Sequence, residues 1–312
     1  MFFSNLLLYI VSFVFIWFGS GLIVSSASKF STRLKLSSFA FSFVFLGLLT
    51  SAPEFSVGLQ AVSSHNPEIF VGNLLGGILV LFLIIIPLLA IFGNGVSLKN
   101  ELGNKTLLAT IGVILAPSIV VLDKKVTNPE GLALVILYLI LLYFVERKHG
   151  IFDRHNSQML NAKAYSFADI LKILLGIGLV FASSAIIVDK TMYFAGLFNM
   201  SAFYIGLIVV ALGTNMPEMS LAVRSVIENK KDIAMGDYLG SAAANTLLFG
   251  IFTLLSGGEV LTVNNFLLTF IFVGSSLMLF YYFSYSKKYI SRNNGFALLG
   301  IYIFFVVLEL MK

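Results

Sequence analysis

Ten long apolar stretches constrain this chain more than any other feature of its sequence. A helix needs about 20 mostly apolar residues to span the hydrocarbon core of a bilayer. The segments that meet this requirement are residues 5–26, 36–62, 69–92, 105–122, 131–145, 167–188, 201–227, 233–256, 262–285 and 294–311. A soluble domain could not cover so much apolar surface when 58% of its 312 residues are hydrophobic and 11% are charged. The sequence therefore predicts an all-α integral membrane protein with ten transmembrane helices.

The placement of basic residues predicts how these spans are oriented. Of the 20 Lys and Arg residues, sixteen fall in the 1–2, 3–4, 5–6, 7–8 and 9–10 connections or at the adjoining helix ends, and four fall on the opposite side. Because cytoplasmic loops carry the excess of Lys and Arg, we expect both termini outside the cytoplasmic (inner) membrane. This topology accounts for the net charge of +5 without a nucleic-acid partner. Nothing in the sequence indicates an obligate protein partner.

The residue types within the spans exclude several kinds of site. The chain has no cysteine, which excludes disulfides and thiolate metal sites. The three histidines, His65, His149 and His155, fall in connections between the predicted spans, so that no span carries a histidine base. We therefore expect neither an enzyme nor a bound cofactor.

A polar linker and an internal repeat divide the chain into two halves. Residues 149–165, a predicted cytoplasmic linker, separate five spans in residues 1–148 from five in residues 166–312. When the sequence is shifted by 164 positions, residues 50–77 align with residues 214–241, and nine of the 28 pairs are identical. Since each half holds an odd number of spans, the second half enters the membrane from the opposite side. The sequence therefore predicts two inverted five-helix repeats, related by a pseudo-twofold axis in the membrane plane.

Each repeat carries a proline followed by a glutamate inside an apolar span. The two stretches read TSAPE at 50–54 and TNMPE at 214–218, and the predicted symmetry brings Glu54 and Glu218 together near the midplane. A carboxylate there costs about 2.5–3.5 kcal/mol on insertion scales, and no Lys or Arg lies at mid-depth in any predicted span. The partner must therefore be a proton or a metal cation, and two facing carboxylates suit a divalent one.

Other oxygen atoms are predicted beside these carboxylates. Pro53 and Pro217 have no N–H to donate, so we expect the carbonyls of Leu49 and Gly213 to lose their helical partners and either to line a cavity or to find another partner. The polar side chains that share a helical face with the glutamates are Thr50 and Ser51 in the first repeat, and Thr214 and Asn215 in the second. Such oxygens are the ligands that Ca²⁺ prefers.

The third and eighth spans carry related motifs of unequal polarity. Their glycines, which are spaced for close helix packing, are Gly72, Gly76, Gly236 and Gly240. The eighth span has a stripe of Asp237, Ser241 and Asn245, and the matching positions of the third are Asn73, Gly77 and Leu81. We therefore expect a chemically lopsided site. Asp237 and Asn73 would add a polar or proton site, or Asp237 would be a helix-packing acid beside a water-filled vestibule; both readings stay open.

These motifs resemble those of the cation/calcium exchanger superfamily, and within it the sodium/calcium exchanger family with two alpha-repeats. The likeness covers most of the chain and is carried by GTNMPE (213–218), GDYLGSAAANTLLFG (236–250) and their counterparts TSAPE and GNLLGG in the first repeat. It implies antiport of Ca²⁺ against Na⁺ by alternating access, in which the first and sixth helices slide as a gating pair.

The resemblance also implies a set of ion ligands. Two glutamates would be shared by Ca²⁺ and Na⁺, the two threonines would contribute mainly backbone oxygens, and further polar groups would surround the ions. The implied set is Glu54, Glu218, Thr50, Thr214, Ser51, Asn215, Ser241, Asn245 and the carbonyls of Gly47 and Ala211.

Four positions depart from the family pattern, and they keep other functions open. Gly77 and Asn215 stand where the family has Ser, Leu81 where it has Asn, and Asp237 where it has Asn. We hypothesise an altered coupling ion or stoichiometry, with fewer Na⁺ per cycle or with H⁺. The alternatives are an exchanger of the same superfamily that couples Ca²⁺ or another cation to H⁺ or depends on K⁺, a cation channel, and a paralogue that does not transport.

Overall fold

The computed structural model describes residues 2–34, 42–97, 103–149, 167–227, 231–257, 259–261, 266–287 and 289–311. Within these ranges nine helices are long and apolar enough to cross a membrane, and a bent helix pair makes a tenth span. The predicted all-α, multi-pass membrane fold is therefore confirmed. Most of the predicted linker lies outside the described residues, and its boundaries stay a prediction.

The spans are numbered here in chain order. The helices are α1 (Phe2–Leu34), α2 (Ser42–Thr50 and Ala52–Ser63), α3 (Pro67–Phe92), α4 (Asn104–Val120), α5 (Asn128–His149), α6 (Phe167–Phe198), α7 (Ala202–Ile227), α8 (Lys231–Leu255), α9 (Leu267–Tyr282) and α10 (Arg292–Leu310). The strands are β1 (Val96–Ser97), β2 (Lys125–Thr127), β3 (Glu259–Leu261) and β4 (Tyr289–Ile290). Wider π turns occur at Ser42–Leu46 in α2, Leu81–Ile85 in α3, Gly206–Val210 in α7 and Phe283–Lys287 after α9.

Two short antiparallel ribbons display the inverted repeat. β1 pairs with β4, which joins the connection after α3 to the connection after α9. β2 pairs with β3, which joins the connections after α4 and α8. Adding 164 to the paired residues of β1 and β2 leads to β3 and β4, so each ribbon is the counterpart of the other. Because one span separates β1 from β2, the ribbons lie at opposite membrane faces, as an inverted repeat requires.

α3 and α8 form the centre of the molecule. In their most apolar windows 89% and 78% of the residues are buried, compared with 22% and 28% in α1 and α6. The predicted close packing is confirmed at three glycines. A Cβ atom at Gly72 or Gly76 would collide with the backbone of α7, and a Cβ atom at Gly240 would collide with the backbone of α2. The central helices therefore pack across the repeats, α3 against α7 and α8 against α2.

α1 and α6 are long helices that pack against each other at the edge of this centre. They have 33 and 32 residues, more than the predicted spans 5–26 and 167–188. The prediction ended α6 at its charged residues, but Asp189 and Lys190 form a 2.7 Å ion pair within the helix, which continues for two further turns. Tyr9 of α1 and Thr191 of α6 join the two helices through a 2.9 Å hydrogen bond between their hydroxyls.

Candidate cation site

The predicted site residues lie where α2 and α7 break. α2 is interrupted at Ser51 and bends by 47°, and α7 is interrupted at Asn215. A proline two residues after each break accounts for it, because proline removes a helical hydrogen bond. Of the two outcomes expected for the carbonyls of Leu49 and Gly213, the structure has the second, in which both find other hydrogen-bond donors. The last turn before each break tightens, and backbone N–H groups at the break donate to both carbonyls.

Glu54 and Glu218 are buried just after these breaks. Their exposed fractions are 1% and 0%. Oε1 of Glu54 accepts a hydrogen bond from Asn215 Nδ2 at 3.2 Å, and Oε1 of Glu218 accepts one from Ser241 Oγ at 3.0 Å. Within the described part of the chain, neither carboxyl group has a basic partner.

Two threonines make the same hydrogen bond in the two repeats. Thr50 Oγ1 donates to Oδ1 of Asp237 at 3.0 Å, and Thr214 Oγ1 donates to Oδ1 of Asn73 at 3.0 Å. The 164-residue shift relates Thr50 to Thr214 and Asn73 to Asp237, so these bonds are symmetry mates. They anchor the break of α2 to α8 and the break of α7 to α3, and they bring Asp237 and Asn73 into the site.

The carbonyls of Gly47 and Ala211 lie one turn before the breaks and collect side-chain donors. Ser51 Oγ donates to Gly47 O at 2.7 Å, and Asn215 Nδ2 donates to Ala211 O at 2.9 Å. The hydroxyl oxygen of the preceding threonine also lies 3.2 and 3.5 Å from these carbonyls, but its single proton is donated at the shorter distance of 3.0 Å to Asp237 or Asn73. Both carbonyls therefore belong to a continuous polar network with the side chains at the breaks.

Five buried oxygen atoms around the breaks have no hydrogen-bond partner among the described residues. They are Oε2 of Glu54, Oε2 of Glu218, Oδ2 of Asp237, Oδ1 of Asn215 and Oδ1 of Asn245. Leaving one buried polar group unpaired costs about 1–3 kcal/mol, and such groups are few in folded proteins. A bound cation would satisfy several acceptors at once.

Carboxylates alone do not form a metal site in this arrangement. Within the described ranges, no three His, Cys, Asp or Glu side chains are grouped closely enough to hold a metal ion. The coordination shell of any cation here would therefore need amide, hydroxyl or backbone oxygens in addition to Glu54 and Glu218. The polar network at the breaks supplies oxygens of all three kinds.

Two positions of α3 bring no side-chain oxygen to the site, as the sequence predicted. Leu81 is buried and begins the π turn of α3. Gly77 leaves a space that two amides fill, because a Cβ atom there would lie 2.9 Å from Asn245 Nδ2 and 3.2 Å from Asn215 Nδ2. No pattern in the sequence predicted that two amides fill the space beside Gly77.

Tyr238 also belongs to the site, although it was not among the predicted site residues. Its buried hydroxyl donates to the backbone carbonyl of Glu218 at 3.2 Å. The sequence feature that could have indicated its role is its position directly after Asp237 in the GDYLGS motif. Tyr238 fixes the backbone of α7 beside the buried carboxyl group.

Comparison with known proteins connects this chain to a family. The family model described as sodium/calcium exchanger protein matches the chain twice, over residues 4–146 and 169–311. The putative antiporter CaxA of Alkalimonas amylolytica is 24% identical over 271 residues, which cover 80% of this chain and 83% of that protein. The sodium/calcium exchanger MaX1 of Methanosarcina acetivorans is 28% identical over 140 residues, which cover 45% of this chain and 40% of that protein.

A solved structure has the same fold. The sodium-calcium exchanger NCX_Mj, in a crystal soaked with Na⁺ and Sr²⁺, superposes with a TM-score of 0.72 at 20% sequence identity, over 98% of this chain and 99% of that one. The two matches of the family model, one in each half, agree with the repeat found in the sequence and cover most of the chain. The chain therefore belongs to the sodium/calcium exchanger protein family.

Proposed function

We propose that the chain is a secondary active antiporter that exchanges Ca²⁺ for Na⁺ across a membrane by alternating access. Both ions bind near the midplane, between Glu54 and Glu218. The observation that carries this proposal is the group of five buried, unpartnered oxygen atoms around the two helix breaks. Carboxylate and amide oxygens are ligands of Ca²⁺, which takes about six to eight of them, and two carboxylates balance its charge.

The proposed ligands combine charged and neutral oxygens. Thr50 and Thr214 use their hydroxyls to anchor the breaks to α8 and α3, so their contribution to the ion comes from backbone oxygens. The other proposed ligands are the side chains of Glu54, Glu218, Ser51, Asn215, Ser241 and Asn245 and the carbonyls of Gly47 and Ala211. Ion binding would draw several of these groups out of the hydrogen bonds that they make with one another.

α1 and α6 are the proposed moving pair. They pack against each other along their length, and only 22% and 28% of the residues in their most apolar windows are buried. Alternating access then consists of a slide of this pair past α2 and α7, which opens the site to one side at a time. By the positive-inside rule, the termini lie outside and the ribbon of β1 and β4 faces the cytoplasm of a cell whose inner membrane holds the protein.

Reconstitution into liposomes tests the exchange. Vesicles loaded with Na⁺ and diluted into Na⁺-free buffer containing ⁴⁵Ca²⁺ should accumulate the label, and vesicles with equal Na⁺ on both sides should not. Glu54→Gln provides the matched control, because it removes one charge at nearly constant volume. Folded, reconstituted protein that moves no Ca²⁺ under a Na⁺, H⁺ or K⁺ gradient would contradict the proposal.

Exchange of Ca²⁺ against H⁺, or exchange that requires K⁺, is a second candidate. It is favoured by the third buried carboxyl group, Asp237, and by the missing side-chain oxygens at Gly77 and Leu81, where the family pattern has polar residues. In the same vesicles, a pH gradient at equal Na⁺ should then drive Ca²⁺ uptake, or added K⁺ should be required. Electrogenic uptake driven by Na⁺ alone would exclude this candidate.

A further inference from the structure

The two repeats pair their small polar residues differently. In the first pairing, Ser51 in the break of α2 meets Ser241 of α8, with their hydroxyl oxygens 3.1 Å apart. The Ser241 hydroxyl also donates to Glu218 at 3.0 Å. The 164-residue shift converts this pair into Asn215 in the break of α7 and Gly77 of α3. One repeat therefore uses two hydroxyls where the other has one amide and no side chain.

The amide of Asn215 takes over the hydrogen bond that residue 77 cannot make. Symmetry with Ser241 and Glu218 would require residue 77 to donate to Glu54, and glycine has no side-chain donor. Asn215 Nδ2 makes this bond instead, to Oε1 of Glu54 at 3.2 Å. The same nitrogen lies only 3.2 Å from the point where a Cβ atom of residue 77 would be. The amide therefore replaces the missing side chain in both space and function.

The orientation of this amide is fixed by its acceptors. Nδ2 of Asn215 donates to the carbonyl of Ala211 at 2.9 Å as well as to Glu54. Both partners are acceptors, so the nitrogen must face them and the oxygen must face away. Oδ1 is then buried without a hydrogen-bond partner, in a side chain that is 1% exposed. An amide oxygen in this position is a ligand of the kind that Ca²⁺ accepts.

We infer that Asn215 and Gly77 act as one unit that sets cation affinity in this half of the site. Nδ2 of Asn215 positions the Glu54 carboxylate, Oδ1 serves as a neutral ligand, and Gly77 provides the space that the amide needs. The inference rests on the proposed function and deepens it. Replacing either residue alone lowers the affinity for the cation. Replacing both with the two serines that the other repeat uses retains it.

A double-mutant cycle tests this unit. In Asn215→Ser, the Ca²⁺ concentration needed for half-maximal binding should rise about tenfold or more, because a hydrogen bond to a charged group is lost. Gly77→Ser alone should also weaken binding, because its side chain collides with two amides. The double variant N215S/G77S recreates the serine pair and should bind within about threefold of the wild type, which is strong non-additivity between residues in contact.

The matched control is N215S/G77A. Like N215S/G77S, it removes the amide of Asn215 and adds a Cβ atom beside Asn245 Nδ2, but it has no hydroxyl at residue 77, so it should stay as weak as Asn215→Ser. The mirror variant S51N/S241G transplants the amide–glycine unit into the other repeat and should bind better than either of its single variants. Binding of ⁴⁵Ca²⁺ to purified protein is the readout, with thermal unfolding measured on each variant so that only folded protein is compared.

Two outcomes separate this inference from the function on which it rests. If wild-type protein binds Ca²⁺ and the losses in N215S/G77S are additive, the inference is overturned and the proposed exchange stands. An N215S/G77A variant that binds as well as N215S/G77S also overturns the inference, since the hydroxyl would then be irrelevant. If the wild type binds no Ca²⁺, the proposed function fails and the inference fails with it.

Discussion

The two half-sites of this protein share a backbone plan and differ in chemistry. The α8 half-site is the break of α2 with its partners in α8, namely Thr50, Ser51, Asp237 and Ser241. The α3 half-site is the break of α7 with its partners in α3, namely Thr214, Asn215, Asn73 and Gly77. In each, the threonine hydroxyl donates across the repeats at 3.0 Å. The acceptor is a carboxyl group in the α8 half-site and an amide in the α3 half-site.

This difference teaches how an inverted repeat becomes functionally asymmetric. The backbone repeat fixes where helices break and where oxygen atoms meet, because π turns at Ser42–Leu46 and Gly206–Val210 and the breaks that follow them all match at the same shift. The side chains then decide how much charge each half presents. An additional buried carboxyl group, Asp237, lies on one side only, where it accepts the hydrogen bond from Thr50.

Replacing the shared glutamates should give the largest effect, and it should be equal in the two halves. Glu54→Gln and Glu218→Gln each remove one of the two charges that face the cation, and we expect transport to fall at least about 100-fold, or about 2.7 kcal/mol. The measurement is ⁴⁵Ca²⁺ uptake into proteoliposomes with matched protein content. Tolerance of one replacement but not the other would show that one half alone carries the ion.

A disulfide that joins α6 to α2 should reduce transport nearly as much as replacement of the glutamates does. The hydroxyls of Ser56 and Ser184 lie 2.6 Å apart, and the natural chain has no cysteine, so S56C/S184C should form a single disulfide on oxidation. Uptake should fall to the fraction left uncrosslinked and recover with reductant, while each single variant is unaffected by oxidant. Full transport by crosslinked protein would contradict the sliding of α6.

The symmetry mates of this pair offer a comparison. The 164-residue shift relates Ser184 to Ser20 and Ser56 to Ser220, yet the buried hydroxyl of Ser20 has no hydrogen-bond partner among the described residues. We therefore expect S20C/S220C to crosslink more slowly than S56C/S184C under the same oxidant. Equal rates would show that the two sides of the molecule are closed to the same extent.

Moving the third carboxyl group should give an intermediate effect. Asp237→Asn makes the half-sites alike at this position, and we expect half-saturation by Ca²⁺ to rise about tenfold, or about 1.4 kcal/mol, since one negative charge is lost. The double variant D237N/N73D returns the charge in the other half and should recover part of the affinity. Unchanged half-saturation in Asp237→Asn would mean that the cation does not sense this group.

The smallest expected effect is the difference in stability between two threonine variants. Thr50→Val removes a hydrogen bond to a carboxylate, which contributes about 1.5–3 kcal/mol, and Thr214→Val removes one to a neutral amide, which contributes about 0.5–1.5 kcal/mol. Thermal unfolding in detergent should therefore show the larger loss of stability for Thr50→Val. The same loss in both variants would argue against an ionised Asp237.

Much of the fold could be predicted from the sequence because its causes are local or repeated. Apolar length predicted the spans, the shift of 164 predicted the inverted halves, and Pro53 and Pro217 predicted one lost helical hydrogen bond in each repeat. The ends of α1 and α6 could not be predicted from hydropathy. The adjacent Asp189 and Lys190 look like a helix end in sequence, but the helix continues past them to Phe198.

The chemistry at the breaks was predicted in part. Glu54 and Glu218 could be found because a buried acid without a basic neighbour is conspicuous in an apolar span. The filling of the Gly77 space by Asn215 depends on packing between repeats, which no local pattern encodes. The sequence left open whether the carbonyls of Leu49 and Gly213 line a cavity or find another donor, because the tightening of the helix end that satisfies them is visible only in the structure.

The central claim is that a cation sits among the buried oxygens between Glu54 and Glu218. Anomalous X-ray diffraction from crystals soaked in Sr²⁺, a heavier analogue of Ca²⁺, locates such an ion directly. We predict a peak within coordinating distance of both carboxyl groups that weakens as Na⁺ is added to the soak. Sr²⁺ bound only at the protein surface, with no peak at the helix breaks, would contradict the account.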